Sequence, residues 1–409
     1  MAEDFLPVAV TGFGIVSPIG IGHVQFWDAL CAGKSGIAPL PNAQQVPRIA
    51  ARVREFSPRE FIRSPHLRRA DALSQTIVSA ARMALTDAGL DDRPPDPERI
   101  GVVVGSAIGN MSESTQYLGR VFTKGPALAS PMLFPNLVLN APASYAAMEI
   151  GCLGANLTVS QGEVSGEHAL MVGCDLIRAG RADVVLAGGG DECAEMVTAA
   201  YRDFRALSSQ RGGAEWGSPY DEQRNGIVLG EGAAMLVLES PARARRRRAT
   251  VYAEIIDTLS FSVGSPTYDW PERASAAGAR IRSFLERGLA PEAGIELVCG
   301  SANSSRRLDA CERDVLAEAL GDTAPTATVT SIKGAIGEFG AAGALTAVAA
   351  CLAVHHGAVP PLCHLRDPMP APFRFASRAA ERRRLEHALM VSFARGGAAA
   401  ALLVRRPNE

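Results

Sequence analysis

The 409-residue chain mixes two hydrophobic patterns. Short continuous apolar runs ending in small residues read as buried strands. Longer stretches with apolar positions three and four apart read as helices. Pro7–Thr11 is a predicted strand closing on the glycine-rich TGFG, Ile100–Val104 one that breaks at Gly105-Ser106, and Ala182–Leu186 one stopped by Gly188-Gly189-Gly190. Leu157–Ser160 and Gly232–Leu238 are further strands. Helical spacing predicts Val24–Ala32, Ala70–Ala88 ending at Gly89, Ala143–Ile150 and Ser165–Ala179. Strands alternating with helices predict α/β layers, with sheets covered on both faces.

The second half repeats this vocabulary. LVCGSA at Leu297–Ala302 echoes VVGSA at Val103–Ala107, and RGGAAAALLV at Arg395–Val404 echoes GEGAAMLV at Gly230–Val237. The echoes suggest duplication. A boundary near Pro241–Thr250 divides the chain into halves 1–245 and 246–409. Asp203–Asp221 and Ser260–Glu272 read as long surface connections.

The stretch Asn156–His168, NLTVSQGEVSGEH, runs from a β-rich segment through a glycine turn into a helical pattern. Such a joint often presents a nucleophile at a helix N-terminus. Here its tip carries Glu163.

Composition narrows the function. A net charge of −2 gives no reason to expect nucleic acid or a membrane surface. The one basic run, Arg243–Arg248, reads as a solvated helix end. The eight cysteines lack CxxC spacing, and Cys174, Cys299 and Cys351 sit in contexts typical of buried reduced thiols. The opening MAEDFLPVAVTGFG has no basic leader, and no apolar run approaches the roughly 20 residues that span a bilayer. A cytoplasmic protein is expected. His355-His356 with Cys363-His364 lacks the paired spacing of structural zinc, so no metal is expected. The glycine runs at Gly188 and Gly396 lack a phosphate-loop context, so no cofactor is expected. His168, on the helix after the glycine turn, reads as a packed residue.

VAVTGFGIVSPIG, FWDALCAGKSGI, IGVVVGSAIGN, RADVVLAGGGDE, SPYDEQRNGIVLGEGAAMLVLE, SIKGAIGEFGAAGA and VSFARGGAAAALLV follow one another from Val8 to Val404. In that order they resemble the β-ketoacyl-acyl carrier protein synthases of the thiolase superfamily. The resemblance implies a dimer of subunits, each with two similar α/β halves in five layers, α-β-α-β-α. It also implies a Cys at the turn to take the acyl chain as a thioester, and two His residues to stabilise the enolate left when malonyl-carrier loses carbon dioxide. The Cys position falls on Glu163, with Ser165-Gly166 following. The first His position falls near Cys299–Ser301, and Asp309 and Glu312 anchor it at Ser301. The second falls on Glu338, after the family lysine at Lys333 and Gly337. The terminal motif's Phe, which flanks the active site, becomes Arg395.

No histidine lies between His168 and His355, and no cysteine between Cys152 and Cys174, so no shift of register restores the triad. A carboxylate attacking a thioester gives a high-energy anhydride, so Glu163 is a poor acyl acceptor. Glu338 would face a developing oxyanion instead of donating to it, and losing one oxyanion donor alone costs roughly 2.7–4 kcal/mol. Cys299 and Ser301 lack a nearby His base. Arg395 is expected to bridge Glu163, Glu338 or both, plugging the site.

Loss of the Cys-His-His set resembles the chain-length factors, or ketosynthase-β subunits, of type II polyketide synthases. Those carry Gln more often than Glu at the turn. The resemblance implies a heterodimer with a Cys-His-His ketosynthase-α subunit, an acyl carrier protein delivering the chain, and a shared acyl tunnel. Its wall would come from Ile108–Phe122 and Pro131–Met148, with Ile108, Met111, Tyr117 and Phe134 as lining residues. Two other readings compete: a stand-alone enzyme with altered acyl-transfer or condensation chemistry using Glu163, and a homodimeric carrier-binding scaffold.

Overall fold

The computed structural model describes residues 6–41, 46–65, 67–91, 96–271, 274–290 and 292–407. The first half contributes β1 (Val8–Ser17), β2 (Ile100–Gly105), β3 (Asn156–Val159), β4 (Val184–Asp191) and β5 (Gly232–Glu239), in spatial order β1-β5-β4-β2-β3. The second contributes β6 (Ala253–Ser262), β7 (Leu297–Cys299), β8 (Thr328–Thr330), β9 (His387–Phe393) and β10 (Ala398–Arg405), in spatial order β6-β10-β9-β7-β8. Both halves therefore share one topology. The fifth strand is antiparallel to its two neighbours, and the fourth, second and third run parallel. Antiparallel pairing of β1 with β6 joins the two. The echoed segments lie in matching places: one pair leads into and out of β2 and β7, the other into β5 and β10.

The helices complete a thiolase-like fold, layered α-β-α-β-α. α1 (Ala72–Asp87), α2 (Met111–Lys124), α3 (Ala141–Ile150), α4 (Ser165–Arg178) and α5 (Glu195–Asp203) belong to the first half. α6 (Ala274–Gly288), α7 (Arg306–Leu320) and α8 (Gly343–His356) belong to the second. α1 and α3 cover one outer face, α6 and α7 pack together on the other, and α4 and α8 touch each other in the middle layer. α8 is apolar all round and buried from Gly343 to Val354, as a helix covered on every side must be.

The predicted strands stop too early at glycines. β1 runs through TGFG to Ser17, and β4 runs through Gly188-Gly189-Gly190 to Asp191. These glycines admit other backbones instead of ending the strand. A Cβ on Gly14 would lie 1.7 Å from the Ala80 carbonyl oxygen of α1, and one on Gly189 would lie 2.1 Å from the Gly105 carbonyl oxygen of β2. Helix α1 is two residues shorter at its start than predicted, because the Asp71 carboxylate accepts from the Ser74 amide at 2.9 Å and caps it. The helix after the turn ends at Arg178, short of Ala179.

Two further expectations are corrected. Asp203–Asp221 is not a surface connection throughout, since Ser218, Tyr220 and Asp221 are fully buried. In Ser260–Glu272, the first three residues belong to β6 and Trp270 is buried; Glu272 lies outside the described residues. The basic run is not simply solvated. Arg243 and Arg247 both pair with the fully buried Glu239 carboxylate, which also accepts from the Thr11 hydroxyl at 2.6 Å. A lone buried carboxylate needs such partners.

Gly14→Ala drives a methyl group into the backbone of α1. Overpacking of this kind destabilises by about 1–3 kcal/mol or more. A marked fall in thermal midpoint is expected, and an unchanged melt would refute the close approach.

Candidate functional site

Strand β3 leaves the sheet at Val159 and turns through Gln161–Val164 into α4. Gly162 takes a φ of +58°, which suits glycine. The Ser165 hydroxyl pins the turn, donating to the Gly162 carbonyl at 2.7 Å and accepting from the Gln161 amide at 2.9 Å. Gly105 lets the helix start press against the end of β2, where a Cβ would lie 2.2 Å from the Ser165 carbonyl oxygen. Glu163 stands at the tip, just ahead of α4. A carboxylate there gains about 0.3–1 kcal/mol from the helix dipole.

Arg395 covers it. The Arg395 guanidinium donates to Glu163 Oε1, and the Arg395 amide donates to Glu163 Oε2 at 3.1 Å. Both side chains are mostly buried, 10% exposed for Glu163 and 18% for Arg395. Arg395 also donates to the Tyr201 hydroxyl at 3.0 Å, and Tyr201 donates to Glu163 at 3.5 Å. The guanidinium carbon lies 4.3 Å from the Trp270 ring centroid and 4.8 Å from that of Tyr201. Burial, reinforced by the Glu163 charge, pushes the Tyr201 phenol well up, so it stays a neutral donor.

Glu338 is held differently. Lys333 Nζ reaches its two oxygens at 2.8 and 3.1 Å, and Asn303 Nδ2 donates to Oε2 at 2.6 Å. Arg395 therefore joins Glu163 alone, while Lys333 takes Glu338. Burial opposes the charge on Lys333, but the Glu338 carboxylate more than offsets it and holds the ammonium pKa above its usual value. Ser301 faces a third acid: its hydroxyl and amide donate to Glu312 Oε1 at 2.8 and 2.7 Å. Tyr220 donates to the same carboxylate.

Glu167, Tyr201 and Trp270 are absent from the sequence prediction. Glu167 is 1% exposed, and neither carboxylate oxygen has a hydrogen-bond partner, although Ser392 lies alongside. Gly343 makes room for it, since a Cβ there would lie 1.9 Å from the carboxyl carbon. Burial raises its pKa. The sequence carries one signal: Glu167 shares a face of α4 with Leu170, Met171 and Cys174, at spacings three, four and seven.

Burial also raises the pKa of every cysteine, to about 12 at Cys174, Cys299 and Cys311 and to about 11 at Cys31 and Cys363. None is a ready thiolate. His168 is a packed residue, its ring nitrogens 2.9 Å from the Val164 carbonyl and 2.8 Å from the Ser260 hydroxyl. Among the described residues, no His, Cys, Asp or Glu cluster could hold a metal ion, and no helix is long and apolar enough to cross a membrane.

Beside the turn lies the segment 106–111. Asp191 accepts from the Ser106 hydroxyl at 2.6 Å and from the Ala107 and Ile108 amides at 3.1 and 3.3 Å. Ile108, Met111 and Tyr117 are half-buried; Phe134 is exposed, its ring centroid 6.4 Å from that of Tyr117. No residue of α2 is buried. Phe122, Leu128, Met132 and Met148 are exposed around it, and residues 125–148 carry no charge. Leu157 is exposed on β3, which lies at the end of the sheet and pairs with β2 along one side.

Fold and sequence together place the chain in the β-ketoacyl synthase family. The profile of the β-ketoacyl synthase N-terminal domain matches residues 6–244, and that of the C-terminal domain residues 252–366. The chain is 31% identical to a 3-oxoacyl-[acyl-carrier-protein] synthase 2 from Coxiella burnetii, over 98% of each chain. It is 33% identical to the tetracenomycin polyketide synthase ketoacyl synthase alpha subunit of Streptomyces glaucescens, over 98% of this chain and 97% of that one. Superposed on the ishigamide ketosynthase/chain length factor, it gives a TM-score of 0.90 at 27% identity, covering 98% of this chain and 100% of the other. It is a homologue of the ketosynthases of type II polyketide synthases.

Lys333→Met should leave Glu338 buried without its cation and destabilise the protein by about 3–5 kcal/mol. The double variant Lys333→Met/Glu338→Gln is expected to regain most of that loss in denaturant unfolding; equal losses in both would contradict the pairing.

The sign for Glu167 follows from its raised pKa. The folded chain keeps a proton that the unfolded chain releases near pH 4.5. Its contribution is fully present below that pH and is lost as pH rises through the folded value. Glu167→Gln does not titrate, so its stability relative to the parent should grow from pH 4 to pH 8 in thermal melts. A difference constant with pH would count against a held proton.

Proposed function

We propose that this chain is a catalytically silent ketosynthase-like subunit, a chain-length factor, that pairs with an active ketosynthase and shapes the acyl tunnel during type II polyketide elongation. The observation that carries this reading is the Glu163–Arg395 pair at the turn. The turn presents a carboxylate already committed to a guanidinium. An acyl transfer to it would break that pair and form an anhydride from a thioester, uphill on both counts.

The remaining chemistry points the same way. Enolate stabilisation needs donors, but Glu338 is an acceptor locked to Lys333, and Ser301 is committed to Glu312. No cysteine is activated to replace the absent nucleophile.

The exposed helix α2, together with the uncharged residues 125–148 beside it, supports an obligate partner. Patches of this kind mark association surfaces, and obligate interfaces typically bury more than about 2,000 Å². The edge of β3 extends that face. Its proposed cover is a ketosynthase-α subunit carrying Cys, His and His, with Ile108, Met111, Tyr117 and Phe134 facing a tunnel shared across the interface. One chain of a solved complex, described as a type II polyketide synthase acyl-carrier protein with its ketosynthase bound to the hexaketide, is 25% identical to this chain with a TM-score of 0.88. An acyl carrier protein is the corresponding source of the growing chain here. We assign the two halves as 1–245 and 246–409.

The test is reconstitution with malonyl-loaded carrier protein. Elongation is expected only when this chain is combined with a Cys-His-His ketosynthase, and Phe134→Ala or Tyr117→Ala in the pair should change product length more than rate. Elongation by this chain alone would overturn the reading in favour of a stand-alone enzyme using Glu163. Carrier binding without turnover in either setting would favour a scaffold.

A further inference from the structure

The Arg395 side chain does more than neutralise Glu163, because it joins segments far apart in the chain. Glu163 belongs to the turn before α4, Tyr201 to α5, and Trp270 to the loop after β6. The loop is also tied by its backbone to the turn that carries Arg395. The Val263 amide donates to the Gly397 carbonyl at 2.9 Å, and the Gly396 amide donates to the Pro266 and Asp269 carbonyls at 3.2 and 3.3 Å. The approach is close enough that a Cβ on Gly397 would lie 2.8 Å from the Gly264 nitrogen. Within the loop, the Ser265 hydroxyl donates to the Asp269 carbonyl at 3.1 Å, and Arg307 pairs with the Asp269 carboxylate from α7.

Trp270 is 4% exposed. The Arg395 guanidinium lies over the Trp270 ring and over that of Tyr201. Such contacts contribute from about 0.5 kcal/mol at exposed sites to about 2 or more when desolvated.

We propose that Trp270, Tyr201 and Arg395 form a latch that closes the turn of this subunit to long, thioester-bearing arms while leaving small solutes some access. Trp270 is a positioning residue in this device: it acts through Arg395 and touches no acyl group. The inference rests on the reading of this chain as the silent member of a pair, and it adds that exclusion is steric as well as chemical. A carrier-bound chain could then enter the assembled complex only through the partner's side.

A cysteine reporter tests the latch. Glu163→Cys, assembled with a partner ketosynthase whose own nucleophile is replaced by Ala, is alkylated with iodoacetamide and, separately, with a bromoacetyl pantetheinamide. In each case the introduced thiolate displaces halide, forming a C–S bond. The ratio of the two rates, long reagent to short, cancels the reactivity of the thiol and reports access alone. Adding Trp270→Ala should raise that ratio at least tenfold, and Trp270→Phe should restore a low value because a ring again covers the guanidinium. If Trp270→Ala fails to assemble, Arg395→Ala provides the same readout with Trp270 in place. A ratio unchanged by opening either residue overturns the latch. It would leave the dependence of elongation on a partner untouched, so the two readings fail separately.

Discussion

The centre of this molecule is governed by the need to balance buried charge. A carboxylate taken out of water is tolerated when a cation, several hydrogen-bond donors or a proton compensates it. Each solution occurs here. Glu338 has Lys333 and Asn303, Glu163 has Arg395, and Glu239 has two arginines and a threonine. Glu312 collects donors from Ser301, Ala302 and Tyr220. Glu167 has no paired cation, and burial shifts its pKa upward, which favours the protonated form. These assignments interlock: with Lys333 engaged by Glu338, Arg395 is committed to the turn.

The second constraint is how closely helices and strands approach. Middle-layer helices α4 and α8 meet near their starts, where a Cβ on Gly166 would lie 2.7 Å from the Ala344 nitrogen. Gly105 and Gly189 allow the same closeness between α4, β2 and β4. The site inherits its geometry from this packing. The helix behind the turn is packed closely against its neighbours, and the side chain at position 163 is presented at the tip ahead of it.

Much of this was legible in the sequence. The α/β alternation and the repeated half could be read from apolar runs and two internal echoes, and the echoes fall on corresponding strands. Glu163, Ser301, Lys333, Glu338 and Arg395 could be singled out by motif, and the structure pairs Glu163 with Arg395 and Lys333 with Glu338. What the sequence withheld was partnership. Lys333 lies five residues from Glu338, yet nothing in that spacing says a short helix will fold one onto the other. Trp270 sits in an irregular loop, and Tyr201 on a helix with no buried residue, so neither has a periodic pattern pointing to Arg395. Strand lengths were underestimated for a related reason: a glycine that ends a strand and one that admits a neighbouring helix look alike until the neighbour is known.

The uncharged stretch 125–148 has a consequence for the cell as well as for assembly. A surface this greasy cannot stay bare at high concentration without sticking to its own copies. On the proposed reading of a two-subunit complex, the supply of this polypeptide keeps step with the partner that shields it. Surplus molecules would then be a precipitation hazard, so selection would favour synthesising both components together, in matched amounts.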